Sequence, residues 1–205
     1  MKPDFSKLAT TEYGNILSND CFIDFSIGPL WQGMPRIFGE AFTVQLTSGD
    51  NLMLHAAIYE APEGSIIVVD GVDSKYAGAG GNVCAVAKSR GIQGFIIDGV
   101  IRDLSEISDM EFPVFAKGVH PVPGKKEVYS ELGVSITCGG ASVSTGDVIV
   151  ADVEGIVVIP KSRQDEVFAM ASKRAREEAS LTLAEWETNH RAKIAQAIIS
   201  AKQKA

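Results

Sequence analysis

The stretch that decides the fold runs from residue 80 to residue 106 and reads GGNVCAVAKSRGIQGFIIDGVIRDLSE. Its segment 82–90 has apolar residues at helical spacing, with Asn82 as the expected N-cap. The apolar run 94–99 that follows is typical of a buried strand, and a similar β-branched run at 65–71 precedes the glycines. Strand, loop, helix and strand form a βαβ unit, so we expect two parallel strands and an α/β fold.

The chain changes character after Pro160. Between residues 134 and 160, short β-branched runs alternate with Gly-Gly, Thr-Gly-Asp and Glu-Gly, which predicts consecutive strands joined by tight turns. After Pro160 there is neither Gly nor Pro. We therefore predict an α/β domain over residues 1–160 and a helical extension over residues 161–205. The domain is expected to contain further strands at 41–46 and 112–118 and helices at 5–18 and 51–59.

The predicted extension contains two helical segments. Ser162 and Asp165 have the spacing of a capping box, which predicts a helix that begins there. A second segment carries Leu183, Trp186 and several isoleucines at roughly helical spacing. We expect these helices to pack on the core or on a neighbouring subunit.

Composition excludes several classes of function. The net charge is -7, the pI is near 5.0 and no Lys/Arg-rich run is present, which argues against a nucleic-acid partner. No apolar run has the length of a membrane span, and the N-terminus does not have the apolar segment of a signal peptide. Cys21, Cys84 and Cys138 lie far apart without metal-site spacing, which is typical of buried thiols. These features predict a cytoplasmic protein.

The glycines before the central helix allow more than one reading. Gly78 and Gly80 begin a dinucleotide fingerprint, but the third glycine is missing, and no Walker loop is present. The start of the helix could instead bind a carboxylate or a phosphate through the backbone amides of Gly80, Gly81, Asn82 and Val83. The alternative is a tight turn in which glycine merely permits a positive φ.

Arg102 and Asp103 follow the second parallel strand directly. In open α/β sheets, ligands bind at the carboxyl ends of the strands, so the glycine loop and this pair should face one crevice. Arg102 could bind a carboxylate bidentately, and Asp103 could hold Mg²⁺ or Mn²⁺ through oxygen. The alternative is a surface ion pair at a helix start. Asp98, inside the strand, is expected to brace the Arg102 loop by accepting backbone hydrogen bonds.

Three segments together resemble a known family. AVAKSRGIQGFIIDGVIRDLSEI, FPVFAKGVHP and CGGASVSTGDVIVADVEGIVVIP are similar to the RraA-like proteins, which include the regulator of ribonuclease E activity A and 4-hydroxy-4-methyl-2-oxoglutarate aldolase. The resemblance covers approximately residues 20–160. Its motif is Gly, twenty residues, Arg-Asp, two residues, then an acidic residue, and the matching positions are Gly81, Arg102, Asp103 and Glu106.

The resemblance implies a swivelling β/β/α fold and a homotrimer or a dimer of trimers with sites at subunit interfaces. It also implies a divalent-metal lyase, of the aldolase or oxaloacetate decarboxylase type, that acts on pyruvate-derived 2-keto acids. On this reading, residues 80–83 bind the substrate carboxylate and Arg102 binds the substrate. Asp103 is the metal ligand, and Glu106 reaches the metal through water.

One position departs from the resembled aldolases. Many of them carry an acidic residue twenty-one positions before the arginine, where this chain has Gly81. Retro-aldol cleavage requires a base for the C4 hydroxyl proton, and the sequence offers no evident candidate. Loss of CO₂ from oxaloacetate requires no such base, so we predict that decarboxylation survives this departure better. The competing hypothesis is a non-catalytic oligomeric regulator that binds a ribonuclease-type protein.

Overall fold

The computed structural model of the chain describes residues 3–71 and 74–204. The strands are β1 (Gly28–Pro29), β2 (Ile37–Gln45), β3 (Ile66–Asp70), β4 (Gly94–Ile101), β5 (Val114–Val119), β6 (Ile136–Cys138), β7 (Ala141–Val143), β8 (Val148–Asp152) and β9 (Gly155–Ile159). The α-helices are α1 (Leu52–Glu60), α2 (Gly81–Ser89), α3 (Leu104–Asp109), α4 (Gln164–Ala179) and α5 (Leu183–Lys202). Short 3₁₀ turns lie at Phe5–Lys7, Thr10–Tyr13, Asn19–Cys21 and Lys161–Arg163.

Seven strands form one mixed sheet in the order β1-β5-β4-β3-β2-β8-β9, and β6 and β7 form a separate hairpin. The pairs β2–β3, β3–β4 and β4–β5 are parallel. The pairs β1–β5, β2–β8 and β8–β9 are antiparallel. In the βαβ unit, Ile66 of β3 lies opposite Gly94 of β4. The predicted α/β fold with its parallel unit, and the consecutive strands before Pro160, are confirmed.

Three clusters of apolar side chains hold these layers together. Helices α1, α2 and α3 cover one face of the parallel strands, where Leu54 and Phe95 are fully buried. The hairpin β6–β7 covers part of the opposite face. The N-terminal segment and α4 pack against β8 and β9 through Tyr13 and Val167. Burying each such side chain stabilises the fold by roughly 1.5–3 kcal/mol.

The prediction of a helix at 5–18 is wrong. The segment instead forms two 3₁₀ turns, which are separated by extended backbone at Leu8. The break brings the backbone N–H and the hydroxyl of Thr10 to the buried carboxylate of Asp152, at 3.1 Å and 2.6 Å. An uninterrupted helix would use that N–H internally and leave Asp152 with fewer donors.

Two predicted caps are also wrong. Helix α2 begins at Gly81 with Gly80 as N-cap, so Asn82 lies inside the first turn. Ser162 lies within the 3₁₀ turn that precedes α4, and no side chain caps that helix. The Lys161 N–H donates to Asp147 Oδ1 at 2.9 Å, which fixes the chain in the turn at the point where the sequence predicts a helix start.

The extension is helical, as expected, but its two helices differ in how they pack. Helix α4 buries Val167 and Ala171 against the sheet. Helix α5 buries no residue at all within the chain. Among the described residues, no helix combines the length and apolar character needed to span a membrane.

Candidate functional site

The candidate site lies where β3 and β4 end. Residues 77–79 lie beside the end of β4 and run parallel to it, and the Gly78 N–H donates to the Val100 carbonyl at 2.9 Å. The Arg102 N–H then donates to the Ala79 carbonyl at 3.0 Å. These two bonds fix the glycine loop beside Arg102, at the edge where α/β sheets place ligands.

Gly80 allows this close approach. A Cβ at Gly80 would lie 2.6 Å from Asp103 Oδ2 and 3.0 Å from Arg102 Cγ. Its backbone is extended, with φ -153° and ψ -176°, so the position does not require glycine for a positive φ. The reading of the loop as a turn that needs positive φ at this residue is therefore wrong. Glycine is required here for space.

Asp103 connects the two loops. Its backbone is in the left-handed region at φ 59°, and its side chain does not cap α3, the helix that it precedes. Oδ2 instead accepts the Gly81 N–H at 3.1 Å and lies 3.4 Å from Arg102 Nε. The partial positive charge at the start of α2 favours a carboxylate in this place. One amide of the predicted cradle is thus already used, and those of Asn82 and Val83 have no partner inside the helix.

Glu106 lies on the other side of Gly81. A Cβ at Gly81 would collide with the Glu106 carboxylate. The acidic group of Glu106 therefore fills the space that a side chain at position 81 would occupy. The structure thus brings Gly80, Gly81, Arg102, Asp103 and Glu106 together, with two carboxylates flanking Gly81.

The donor set fits a hard divalent cation. Within the ranges 3–71 and 74–204, no group of three or more His, Cys, Asp or Glu side chains is arranged to hold a metal ion. Asp103 and Glu106 offer carboxylate oxygens, and both side chains are exposed. In enzymes, Mg²⁺ is usually coordinated by one or two carboxylates, and water and substrate supply its other ligands. Zinc sites use more nitrogen and sulfur ligands.

A cleft of about 50 Å³ opens beside these residues. Its walls combine residues that the sequence singled out with three polar side chains that it did not. The predicted ones are Gly80, Asn82, Val83, Arg102 and Asp103, and the others are Asn51, His55 and Lys126. The cleft has room for a carboxylate and a few neighbouring atoms.

Asn51 immediately precedes α1, His55 lies within α1, and Lys126 lies in the loop after β5. Asp50 fixes that loop, because its Oδ2 accepts the N–H groups of Glu127 and Val128 at 2.6 Å and 3.2 Å. Burial alone would raise the pKa of Asp50, but the backbone donors outweigh it and hold that pKa below its ordinary value. Lys126 is carried on this fixed loop. No spacing in the sequence links these segments, so only the fold could reveal the cleft.

His55 is neutral at pH 7. Burial lowers the pKa of its imidazole to about 4, with further lowering by the positive charges of Lys126 and Arg102. Asp50 acts in the opposite direction and does not reverse the effect. A neutral imidazole can accept a hydrogen bond or a proton.

Asp98 and Cys84 lie outside this chemistry. Asp98 pairs with Lys117 and accepts the Gly139 N–H at 2.7 Å. The prediction that it braces the Arg102 loop is wrong, because its side chain reaches the hairpin instead. Burial, with a smaller contribution from Asp103, raises the pKa of the Cys84 thiol to about 12, so it stays protonated and serves as a small apolar side chain.

Comparisons with known proteins give consistent relatives. The RraA-like family model, described as Aldolase/RraA, matches residues 13–158. A protein of Halalkalibacterium halodurans named "Putative 4-hydroxy-4-methyl-2-oxoglutarate aldolase" is 38% identical over 171 residues, which cover 83% of this chain and 81% of that protein.

Two solved structures show a similar fold. The RNA-processing inhibitor RraA from Thermus thermophilis has a TM-score of 0.63 at 24% identity, over 68% of this chain and 85% of its own. An uncharacterized protein from Pseudomonas syringae pv. tomato has a TM-score of 0.75 at 23% identity, over 90% of this chain and 91% of its own. The second match thus covers a larger share of this chain than the match to RraA does.

Proposed function

Because this chain belongs to the RraA-like family, we propose that it is a divalent-metal-dependent lyase that cleaves a C–C bond of a pyruvate-derived 2-keto acid. One observation carries the proposal. The start of α2 at Asn82 and Val83, the Arg102 guanidinium and the Asp103 carboxylate meet at a single cleft. A 2-keto acid presents a carboxylate and an adjacent keto oxygen, which are the groups that such a combination can hold.

The substrate carboxylate is bound by Arg102 and by the free amides at the start of α2. A guanidinium binds a carboxylate through two parallel hydrogen bonds, and the amides of Asn82 and Val83 add donors in fixed directions. The Arg102 backbone is itself anchored on Ala79. This arrangement orients the C–C bond that breaks relative to the rest of the site.

The metal would be held by Asp103, with Glu106 reaching it through water. A bound Mg²⁺ or Mn²⁺ would supply Lewis-acid stabilisation of the negative charge that develops on the keto oxygen. Glu106 also places a carboxylate beside Gly81, where many of the resembled aldolases carry an acidic side chain. It can orient a water molecule or hold a proton there, which supports lyase chemistry despite the glycine.

We propose further that the chain acts as a homo-oligomer whose sites lie between subunits. The side chains of Arg102 and Asp103 are 43% and 33% exposed in the single chain, so one side of the site is open. Val119 and Val122, at the end of β5 and in the loop after it, expose 54% and 44% of their surface. A second copy of the chain that covers these valines would exclude water from the reacting bond.

The test is turnover of oxaloacetate with and without Mg²⁺, repeated with Asp103→Asn. The asparagine can still accept the Gly81 N–H but has no charge for a cation. We expect kcat/KM to fall about 100-fold or more, which corresponds to about 2.7 kcal/mol or more of transition-state stabilisation. Asp109→Asn, at the exposed end of α3, is the control and should behave as wild type. Equal rates for Asp103→Asn and wild type, or rates that do not depend on Mg²⁺, contradict the proposal.

A second experiment, on thermal stability, addresses the regulator hypothesis. The fold similarity to the RNA-processing inhibitor RraA is compatible with a non-catalytic protein that binds a ribonuclease. A lyase should gain thermal stability from Mg²⁺ and pyruvate together, because each ligand completes the site for the other. A protein that shows neither this joint stabilisation nor turnover fits the regulator hypothesis instead.

A further inference from the structure

Asp50 is a buried carboxylate that binds only backbone donors among the described residues. It is 8% exposed. Its Oδ1 accepts the Leu52 N–H at 2.8 Å, and its Oδ2 accepts the N–H groups of Glu127 and Val128. Burial raises the pKa of Asp50, but these backbone donors and the charge of Lys126 hold that pKa below its ordinary value. The group is therefore ionised at pH 7, and its two oxygens join two separate segments of the chain.

The loop after β5 is bound to the segment before α1 on both sides of Lys126. Before this lysine, the Lys125 N–H donates to the Gly49 carbonyl and the Lys125 carbonyl accepts the Asn51 N–H, both at 2.8 Å. After it, two backbone N–H groups donate to Asp50. The backbone of Lys126 is thereby held at both ends, while its side chain lines the cleft. The place of its ammonium group in the cleft therefore depends on Asp50.

The same loop is also hydrogen-bonded to the segment that precedes α2. The Ala77 N–H donates to the Val122 carbonyl at 2.7 Å, and the Gly124 N–H donates to the Ala77 carbonyl at 3.2 Å. On its other side, this segment pairs in parallel with the end of β4, which leads to Arg102. One hydrogen-bonded layer thus connects the loop of Lys126 with Arg102 and fixes the backbones of the two cationic residues relative to each other.

Lys126 and Arg102 are two cations that line one cleft. Asp103 lies beside Arg102, whereas no ion pair joins the exposed Lys126 to another residue in the ranges that the structure describes. The neighbouring Lys125, in contrast, pairs with Glu127. Lys126 thus adds positive charge to the cleft, which favours an anionic ligand that contacts both cations.

We propose that Asp50 is a positioning residue of the lyase site, because it holds Lys126 where the ammonium group binds the anionic substrate together with Arg102. The inference rests on the proposed lyase function and adds to it a residue that contacts neither substrate nor metal. Asp50 acts through the loop that it binds. Without this carboxylate, the N–H groups of Glu127 and Val128 lose their acceptor, and the loop no longer holds Lys126 at a fixed distance from the substrate.

The binding test measures the affinity for oxalate in the presence of Mg²⁺ by titration calorimetry. Oxalate has carboxylates but no keto group, so binding is measured without turnover. Lys126→Met should weaken binding about 10-fold because one charged hydrogen bond is lost, and Asp50→Asn should weaken it by a similar factor. Since Asp50 acts through Lys126, the double variant should bind no more weakly than Lys126→Met alone. Losses that add, wild-type affinity in either single variant, or no binding of oxalate by wild type overturn the proposal.

Two matched controls separate positioning from stability. Asp152 is also a buried carboxylate, 6% exposed, which accepts two hydrogen bonds from Thr10 and does not line the cleft. Asp152→Asn should lower the urea midpoint of unfolding, as Asp50→Asn does, but leave the affinity for oxalate unchanged. Lys125→Met removes the adjacent lysine and should also leave that affinity unchanged. Weaker oxalate binding in either control overturns the proposal. Lys126→Met alters an exposed side chain, so unchanged affinity in this variant overturns it even where Asp50→Asn is unstable.

Kinetics distinguish failure of this inference from failure of the lyase function. With oxaloacetate and Mg²⁺, Asp50→Asn and Lys126→Met should raise KM about 10-fold and change kcat by less than about 3-fold, since the lysine contributes to binding and not to the chemical step. A wild type that turns over oxaloacetate with the same KM as Lys126→Met keeps the lyase function and loses the positioning residue. A wild type that binds oxalate through Lys126 but does not turn over oxaloacetate keeps the role of Asp50 in anion binding and loses the lyase function.

Discussion

Gly80 and Gly81 are adjacent, yet each position excludes a side chain because of a different neighbour. At Gly80 the space is taken by Arg102 and Asp103, and at Gly81 it is taken by the carboxylate of Glu106. The second conflict involves the end of a flexible side chain, which can rotate away. The effect of a side chain at position 81 therefore depends on Glu106, and the coupling free energy between the two positions can be measured.

We expect Gly81→Ala to cost about 1 kcal/mol of unfolding free energy in wild type, because the new methyl group displaces the Glu106 carboxylate. In a Glu106→Ala background, the same substitution should be neutral or should stabilise by about 0.5–1 kcal/mol, since alanine favours the first turn of α2 more than glycine does. Urea denaturation of the four proteins in this double-mutant cycle gives the coupling energy. Additive effects would contradict the assignment of the space beside Gly81 to Glu106.

At the scale of the element, the starts of α4 and α5 show which capping sequences form a cap in the folded chain. The sequence places a capping box at Ser162, but the structure places one at Thr182, where the hydroxyl accepts the Glu185 N–H at 3.3 Å and Glu185 accepts the Thr182 N–H at 2.9 Å. Both positions have a suitable pair of residues at the correct spacing. The difference is that Lys161, just before Ser162, is bound to Asp147 of a distant turn. A tertiary hydrogen bond overrides the local pattern.

We expect Thr182→Ala to destabilise the start of α5 by about 1 kcal/mol, because the helix loses its cap. Amide hydrogen exchange should become faster in the first turns of α5, whereas β3 and β4 should keep their protection, since α5 buries nothing against the sheet. Ser162→Ala removes the same chemical group from a position that caps nothing, and it serves as the control. Faster exchange throughout the sheet in Thr182→Ala would show that α5 supports the core directly.

The βαβ unit could be predicted from the sequence because its signals are local. Apolar runs at 65–71 and 94–99, with helical spacing between them, determine both strand direction and the edge at which the loops meet. The convergence of Arg102 and Asp103 on the glycine loop follows from that topology. The presence of Asn51, His55 and Lys126 in the cleft could not be predicted, because it depends on how α1 packs and on the loop that Asp50 fixes.

At the scale of the whole molecule, the cleft differs in charge from the rest of the protein. The chain carries a net charge of -7, whereas the cleft is lined by two cations, Arg102 and Lys126, by one carboxylate, that of Asp103, and by the start of α2. A positive site in an acidic molecule attracts small anions while the remaining surface repels polyanions such as nucleic acids. This distribution suits a small carboxylic acid.

Helix α5 exposes a group of apolar side chains that another chain could cover. Its apolar residues Leu183, Trp186, Ile194, Ile198 and Ile199 expose between 43% and 82% of their surface. A helix of twenty residues without tertiary packing is only marginally stable in water. A second copy of the chain is the partner that the proposed homo-oligomer would provide.

We therefore expect the protein to sediment at a multiple of 21.8 kDa and α5 to be buried in that assembly. In Trp31→Phe the only indole is Trp186, and its fluorescence should be blue-shifted at high protein concentration because the ring lies in an interface. Dilution should move the emission toward that of an exposed indole, in step with the fall in mass. Trp186→Phe, which retains Trp31 packed against the core, should show no such change. A mass of one chain together with an exposed Trp186 at every concentration would mean that α5 does not bind a second copy of the chain. That result would also contradict the proposal that the site lies between subunits.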